Sequence, residues 1–401
     1  MMRLRAGEKF CLIYALAFLA ALMLAGRAVS GCLADGGTFR TSLNCRGEPS
    51  IPKFFEVSTF SWGGRDYLAL NTGNELSLYR ITDPLNPTPE TASHFNVGNM
   101  GDSDYDLLNY SICDDCRYGV ATYKLGTVLF DLGTGAAPRF VASRFYGTSS
   151  DPRGAFTFEH GGAQYLLANY LPGDCGSDAT LYRYDGPQDI EPVGCLDVPG
   201  FAGKFINGVK IDGSYLYLGF YDNWLYIYRV GSGGSLSFVA KSPIRASMAR
   251  GKGFAVDRAA GLAVSSFVNG GMRVWNISAP AAPVEVASVA GNFGLTAMRH
   301  PFAWVAQPMA PDSSRTFDIG AQPVPMDQEF WSPDNPWNNH NPPPAEQCEW
   351  PTSAAFSPDG TAMYLARYNV AQVIDFSACP PPLFADGFDG GDTSAWSATV
   401  P

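Results

Sequence analysis

The chain has 401 residues and a formal net charge of −11, with 16% charged residues, 13% aromatic residues, 43 glycines and 30 prolines. An acidic balance opposes binding to phosphate backbones, which needs Lys and Arg to displace counterions. A turn-rich, aromatic composition excludes disorder and suits many short strands.

Residues 1–30 read as an export signal. Arg3, Arg5 and Lys9 form a positive start, residues 10–26 are an apolar core, and the small residues of Ala28-Val29-Ser30 precede a cleavage after Ser30. Those 30 residues hold four basic and one acidic residue, so their removal leaves 23 basic against 37 acidic residues, a net −14. No later stretch is long and apolar enough to span a bilayer, so the mature chain is expected outside the cytoplasm without a membrane span. Val29-Ser30-Gly31-Cys32 resembles a lipid-attachment site. Cysteine arithmetic argues against a lipid on Cys32, because the mature chain keeps an even set: Cys32, Cys45, Cys113, Cys116, Cys175, Cys195, Cys348 and Cys379. Residues 31–51 read as a separate N-terminal segment.

From residue 52 to 379 the chain repeats. A strand-like run ends seven times in an aromatic or aliphatic residue, then usually Asp, Asn or Arg, then usually an apolar residue. The copies are Tyr79-Arg80-Ile81, Phe130-Asp131-Leu132, Tyr184-Asp185-Gly186, Tyr228-Arg229-Val230, Trp275-Asn276-Ile277, Phe317-Asp318-Ile319 and Ile374-Asp375-Phe376. The spacings are 51, 54, 44, 47, 42 and 57 residues. Each ending follows an apolar strand and a short turn, as in residues 67–71, 215–221 and 362–368, which reads as a hairpin. The apolar first strand of that hairpin reads as an inner strand covered on both faces. Pro-bearing turns then lead to a further β-run, giving about four strands per unit. A unit of that size cannot bury both faces alone. A ring of neighbours solves the problem, so the fold class is an all-β propeller, with seven four-stranded blades the best count against six or eight.

Within the ring three stretches carry candidate chemistry. Asp102, Asp104 and Asp106 alternate in a loop that suits a hard cation such as calcium, although Leu107 and Cys113 occupy the sixth and twelfth positions, where an EF-type loop needs Gly and Glu. No other cofactor is indicated. Cys113-Asp114-Asp115-Cys116 has redox spacing but no βαβ setting, so a structural disulfide is expected. His160 and His300 read as preceding inner strands, within reach of the channel mouth. Residues 308–351 form a long Pro-rich insertion in which Trp331, Trp337, Asn338, Asn339 and His340 combine stacking surfaces with amide donors. Those types suit a protein or carbohydrate ligand. Local disulfides are expected for Cys32–Cys45, Cys113–Cys116, Cys175–Cys195 and Cys348–Cys379.

The stretches 81–90, 131–142 and 276–289 resemble the LVIVD-type repeat of exported bacterial propellers. Residues 354–368, with Ser357-Pro358-Asp359-Gly360, resemble a hairpin shared by several propeller families, lactonase-like ones included. The tail 380–401 reads as flexible, and its end resembles a signature found on many unrelated exported bacterial proteins, with Asp389 where Glu is usual. The resemblance implies a fold and leaves activity open, since propellers host enzymes and pure binders. The leading reading is a non-enzymatic binding or interaction module at the cell surface or outside the cell. The alternative is a lactonase-like hydrolase with a metal at the channel mouth, which would need three or four acidic, amide or imidazole groups converging from different blades.

Overall fold

The structure, a computed structural model, describes residues 32–41, 55–72, 75–96, 107–123, 126–135, 137–139, 141–147, 155–168, 179–184, 190–196, 208–220, 223–247, 252–306, 314–320, 323–326, 351–367 and 370–379. They form seven four-stranded antiparallel sheets, and the fold is a seven-bladed β-propeller. Blades 1 to 6 are consecutive meanders over residues 55–96, 107–147, 155–196, 208–245, 254–289 and 295–325. Blade 7 takes its first three strands from residues 351–375 and its outermost strand, Ala34–Thr41, from the other end of the chain. The segment that the sequence sets apart as N-terminal therefore closes the ring.

The seven repeat endings fall at the end of the third strand of each blade. Their middle residue explains the preference for Asp or Asn. Asp131, Asn276, Asp318 and Asp375 each accept the N–H two residues on, from Gly133, Ser278, Gly320 and Ser377 at 2.7–2.9 Å. Such Asx turns halt the strand and swing the chain outward. Asp83 does the same work one turn later, accepting from the Leu85 N–H and the Asn86 amide.

The hairpin visible in the sequence is the second and third strand of each blade; the innermost strand precedes it. Second strands carry the core. Leu68, Leu70, Leu166, Leu167, Leu216, Leu218, Val305 and Leu365 are fully buried between neighbouring blades, each burial contributing roughly 2 kcal/mol. Innermost strands are less uniformly apolar because one edge borders the central channel.

Among the described residues, polar ties cross five of the seven blade junctions. Thr59 Oγ1 donates to Phe356 O at 3.0 Å and Ser353 Oγ to Val57 O at 3.3 Å, joining blades 1 and 7. Tyr110 Oη donates to Ala69 O at 2.8 Å, joining blades 2 and 1. Thr157 donates its N–H to Ser111 Oγ at 3.0 Å, joining blades 3 and 2. Asp212 lies 3.5 Å from Arg258 of blade 5, and Asp257 lies 4.0 Å from Arg299 of blade 6.

A disulfide joins Cys32 to Cys379, which corrects the expected pairs Cys32–Cys45 and Cys348–Cys379. The reason is the closing strand: pairing of Ala34 with Asp375 sets Cys32, just before one strand, beside Cys379, just after the other. Cys113–Cys116 forms as expected. Cys195 is disulfide-bonded; Cys45, Cys175 and Cys348 lie outside the described residues, as do residues 1–31 and the tail 380–401. Among the described residues no helix is long and apolar enough to cross a membrane.

Candidate functional site

Antiparallel meanders sort the connections onto two faces. Links from the outer strand of one blade to the inner strand of the next lie on one face, here termed the entry face. The hairpin turns between first and second strands lie on the opposite face. Asp102, Asp104, Asp106, Trp331, Trp337, Asn338, Asn339 and His340 lie outside the described residues. His160 ends the inner strand Ala155–His160, and His300 sits in the following blade-6 hairpin turn, where its N–H donates to Asp257 at 3.1 Å. Both are therefore at the face opposite the entry.

The inner strands enclose a channel cavity of about 490 Å³. Its charged lining comprises Glu56 of blade 1, Lys210 of blade 4 and Lys252 just before the inner strand of blade 5, with Asp114 of blade 2 and Arg299 of blade 6 toward the opposite face. Glu56 is the second residue of the strand Phe55–Trp62 and is 8% exposed. The Lys252 ammonium stands 3.7 Å from Glu56 Oε1 and donates to Thr352 O of blade 7 at 3.2 Å. This strut spans the entry mouth and ties three blades. Glu56 Oε2 is buried and accepts no hydrogen bond.

Lys210 is the third residue of Gly208–Asp212. It is exposed to the channel that it lines, and no described residue pairs with its amine. Loss of solvation pushes its pKa down, and the charge of Glu56 partly opposes that. Tyr110 is held protonated by burial first and by the Glu56 charge second; its hydroxyl also accepts from Ser58 at 3.0 Å.

The hydroxyls along the channel are already committed. Ser58 bonds Tyr110, Ser111 bonds Thr157, Ser353 bonds Val57, and Thr296 bonds Ser266. Among the described residues no three His, Cys, Asp or Glu side chains gather as a metal-ligand set. Sequence reasoning missed Glu56, Lys210 and Lys252 because they belong to no motif and come from separate blades. The available signal was slight: Glu56 and Lys210 are charges within the inner strands Phe55–Trp62 and Gly208–Asp212, and Lys252 stands just before Phe254–Asp257.

The Cys113–Cys116 loop is a clip between blades. Asp114 and Asp115 accept the N–H groups of Ser61 and Gly63, each at 2.8 Å, and the Asp115 N–H donates to Ser61 O at 2.8 Å.

A second surface stands out at the rim. The five exposed large hydrophobic residues among the described residues, Phe238, Val239, Val268, Val284 and Val286, all belong to blades 4 and 5. Four of them lie on the outer strands Leu236–Arg245 and Val284–Val289, whose outward edges carry unpaired backbone. The Arg245 guanidinium lies between the rings of Trp224 and Phe267, 4.9 and 4.1 Å from their centres, and the Lys241 ammonium stands 5.0 Å from Trp224. Residues 208–290 hold eight basic and four acidic residues, a net +4 within a chain of net −11.

No protein-family model matches the chain, and no curated protein does. Solved structures resemble it in fold. The β-propeller domain of Myceliophteria thermophila Cps50 (Swd1) is 11% identical, with 80% of this chain and 96% of that chain covered at a TM-score of 0.53. The C-terminal WD40 domain of Sif2 is 12% identical, with 80% and 81% covered at a TM-score of 0.48. The chain is thus a seven-bladed propeller that shares the β-propeller fold of the Cps50 (Swd1) domain.

Proposed function

We propose that the protein is an exported, non-enzymatic interaction module whose blade 4–5 rim holds an acidic, apolar-bearing segment of a partner protein. The observation that carries this reading is the rim itself. Exposed Phe238 and Val239 share the outer strand of blade 4 with the stacked cations Lys241 and Arg245, exposed Val284 and Val286 lie on the outer strand of blade 5, and the rest of the chain is acidic. Apolar residues on an open strand edge favour an added strand, and cations fixed over aromatic rings favour carboxylates beside it. The leader 1–30, the even cysteine set and the LVIVD-like turns support export.

The test uses the mature protein and a fluorescent peptide alternating Glu or Asp with Val or Leu. Saturable binding is expected, weakened about tenfold or more in Phe238→Ser/Val286→Ser and in Lys241→Glu, in keeping with the loss of apolar burial and of cation–π pairing. Equal binding by these variants, or equal binding of the peptide with Gln and Asn replacing its acids, would sink the proposal. Protein-dependent hydrolysis of a lactone would favour the enzymatic alternative.

A further inference from the structure

We propose that the central channel is a receptor site for a small monocarboxylate with a short aliphatic body, its carboxylate held by the Lys210 ammonium. The site is separate from the rim and does not depend on it.

The cavity lining bears Lys210, Lys252 and Arg299 against Glu56 and Asp114; Arg299 stands 4.0 Å from Asp257 and Asp114 accepts the Ser61 N–H, both beside the hairpin turns of the opposite face. Lys252 and Glu56 are each only 11% exposed at the side chain and face one another, so one positive charge is left over, at Lys210. That amine opens onto the channel, no described side chain pairs with it, and hydroxyls lining the channel are bonded elsewhere. An ammonium on a channel wall loses part of its bulk solvation, and a bound anion offsets the loss. Glu56 limits the charge of that anion. A dianion such as phosphate would be repelled by the carboxylate, whereas a monoanion brings the interior to neutrality. The body of the ligand is set by the remaining wall, where Val209, Phe156, Ile112 and Met298 line the same cavity. At about 490 Å³ the space falls within the range of about 300–1,000 Å³ that small-molecule sites occupy. The lowered proton affinity of Lys210 is the expected mark of an amine awaiting a counter-ion, and binding should restore it.

Titration calorimetry on the mature protein tests this with butyrate, phosphate and chloride at constant ionic strength. Butyrate should bind one to one, with proton uptake that grows as the pH is raised toward the Lys210 pKa. Phosphate and chloride should bind at least tenfold more weakly. Lys210→Met should lose roughly tenfold or more of the butyrate affinity while keeping the wild-type thermal transition, because Lys210 bonds no described residue. Glu56→Gln, which removes the opposing charge, should tighten binding about threefold; if that variant fails to fold, Lys210→Met alone decides. No butyrate heat, equal heats for butyrate and chloride, or unchanged binding in Lys210→Met would overturn the proposal.

Discussion

The hydroxyl of Tyr364 in blade 7 donates to the carbonyl of Pro84 in blade 1 at 3.1 Å. The same contact recurs three blades away, where the Tyr217 hydroxyl of blade 4 donates to Pro280 O of blade 5 at 2.6 Å. In both cases the donor lies on a second strand, and the acceptor lies in the proline turn that follows the neighbouring third strand. The turn that ends the visible repeat thus also fastens one blade to the next.

Tyr364→Phe and Tyr217→Phe should each lower stability by about 1 kcal/mol, with the acceptor carbonyl left without its donor. Both phenols have their pKa pushed up, by burial first and by neighbouring acidic groups second. The donor proton is therefore retained well into alkaline solution. Urea midpoints of wild type and variants should stay parallel from neutral pH to about pH 10, the pKa of a free phenol. A wild-type loss confined to that range would refute the assignment.

The Cys32–Cys379 disulfide spans 347 residues and locks the closing strand to the last blade. Chain-entropy reasoning gives about 6 kcal/mol for closing so long a loop. Cys32→Ser/Cys379→Ser should lower the thermal midpoint far more than reduction of Cys113–Cys116, whose loop spans three residues. Comparable effects of the two would contradict the closure role.

The sequence exposed the ring because its repeat is written in turn chemistry: Asp131, Asn276, Asp318 and Asp375 stop equivalent strands by the same hydrogen bond. The closing strand was hidden. Residues 34–41 hold Gly36, Gly37 and one large apolar residue, Phe39, so no alternation marks them as a strand, and their pairing with Val370–Asp375 is entirely non-local. The disulfide pattern was misread for the same reason. The channel charges were hidden differently. Glu56, Lys210 and Lys252 are single residues on three blades, brought together by ring closure, and linear spacing carries no trace of that.

Asp131 offers a pH test. Burial pushes its carboxyl pKa up, but bonds from the Arg117 guanidinium at 3.0 and 3.1 Å and from the Gly133 N–H at 2.7 Å outweigh it, and the net direction is down. A depressed carboxyl stabilises the fold above its unfolded pKa of about 3.9, and that contribution is lost as pH falls through the lower, folded value. Asn keeps the turn, as Asn276 does in blade 5, and deletes the charge. Asp131→Asn should therefore cost about 1 kcal/mol at neutral pH, given the half-exposed Arg117, and should flatten the decline below about pH 4. A variant whose acid limb matches wild type would show that the pair does not govern it.

Asp115 sits at φ 53° within the Cys113–Cys116 loop and accepts the Gly63 N–H of blade 1. Two demands meet at this residue, a left-handed backbone and a short side-chain acceptor. Asn satisfies both, Gly satisfies the first, and Val satisfies neither. A β-branched residue in that region costs about 1–2 kcal/mol in backbone strain, and the lost acceptor adds about 1 kcal/mol. Thermal unfolding should rank wild type and Asp115→Asn together, Asp115→Gly lower, and Asp115→Val lowest by about 2–3 kcal/mol in total. Reduction of the disulfide in Asp115→Val should then add little, because the clip has already lost its hold on the Ser61–Gly64 turn. If Asp115→Val were as stable as wild type, the loop would not be a clip between blades, and a redox role for its cysteines would regain ground.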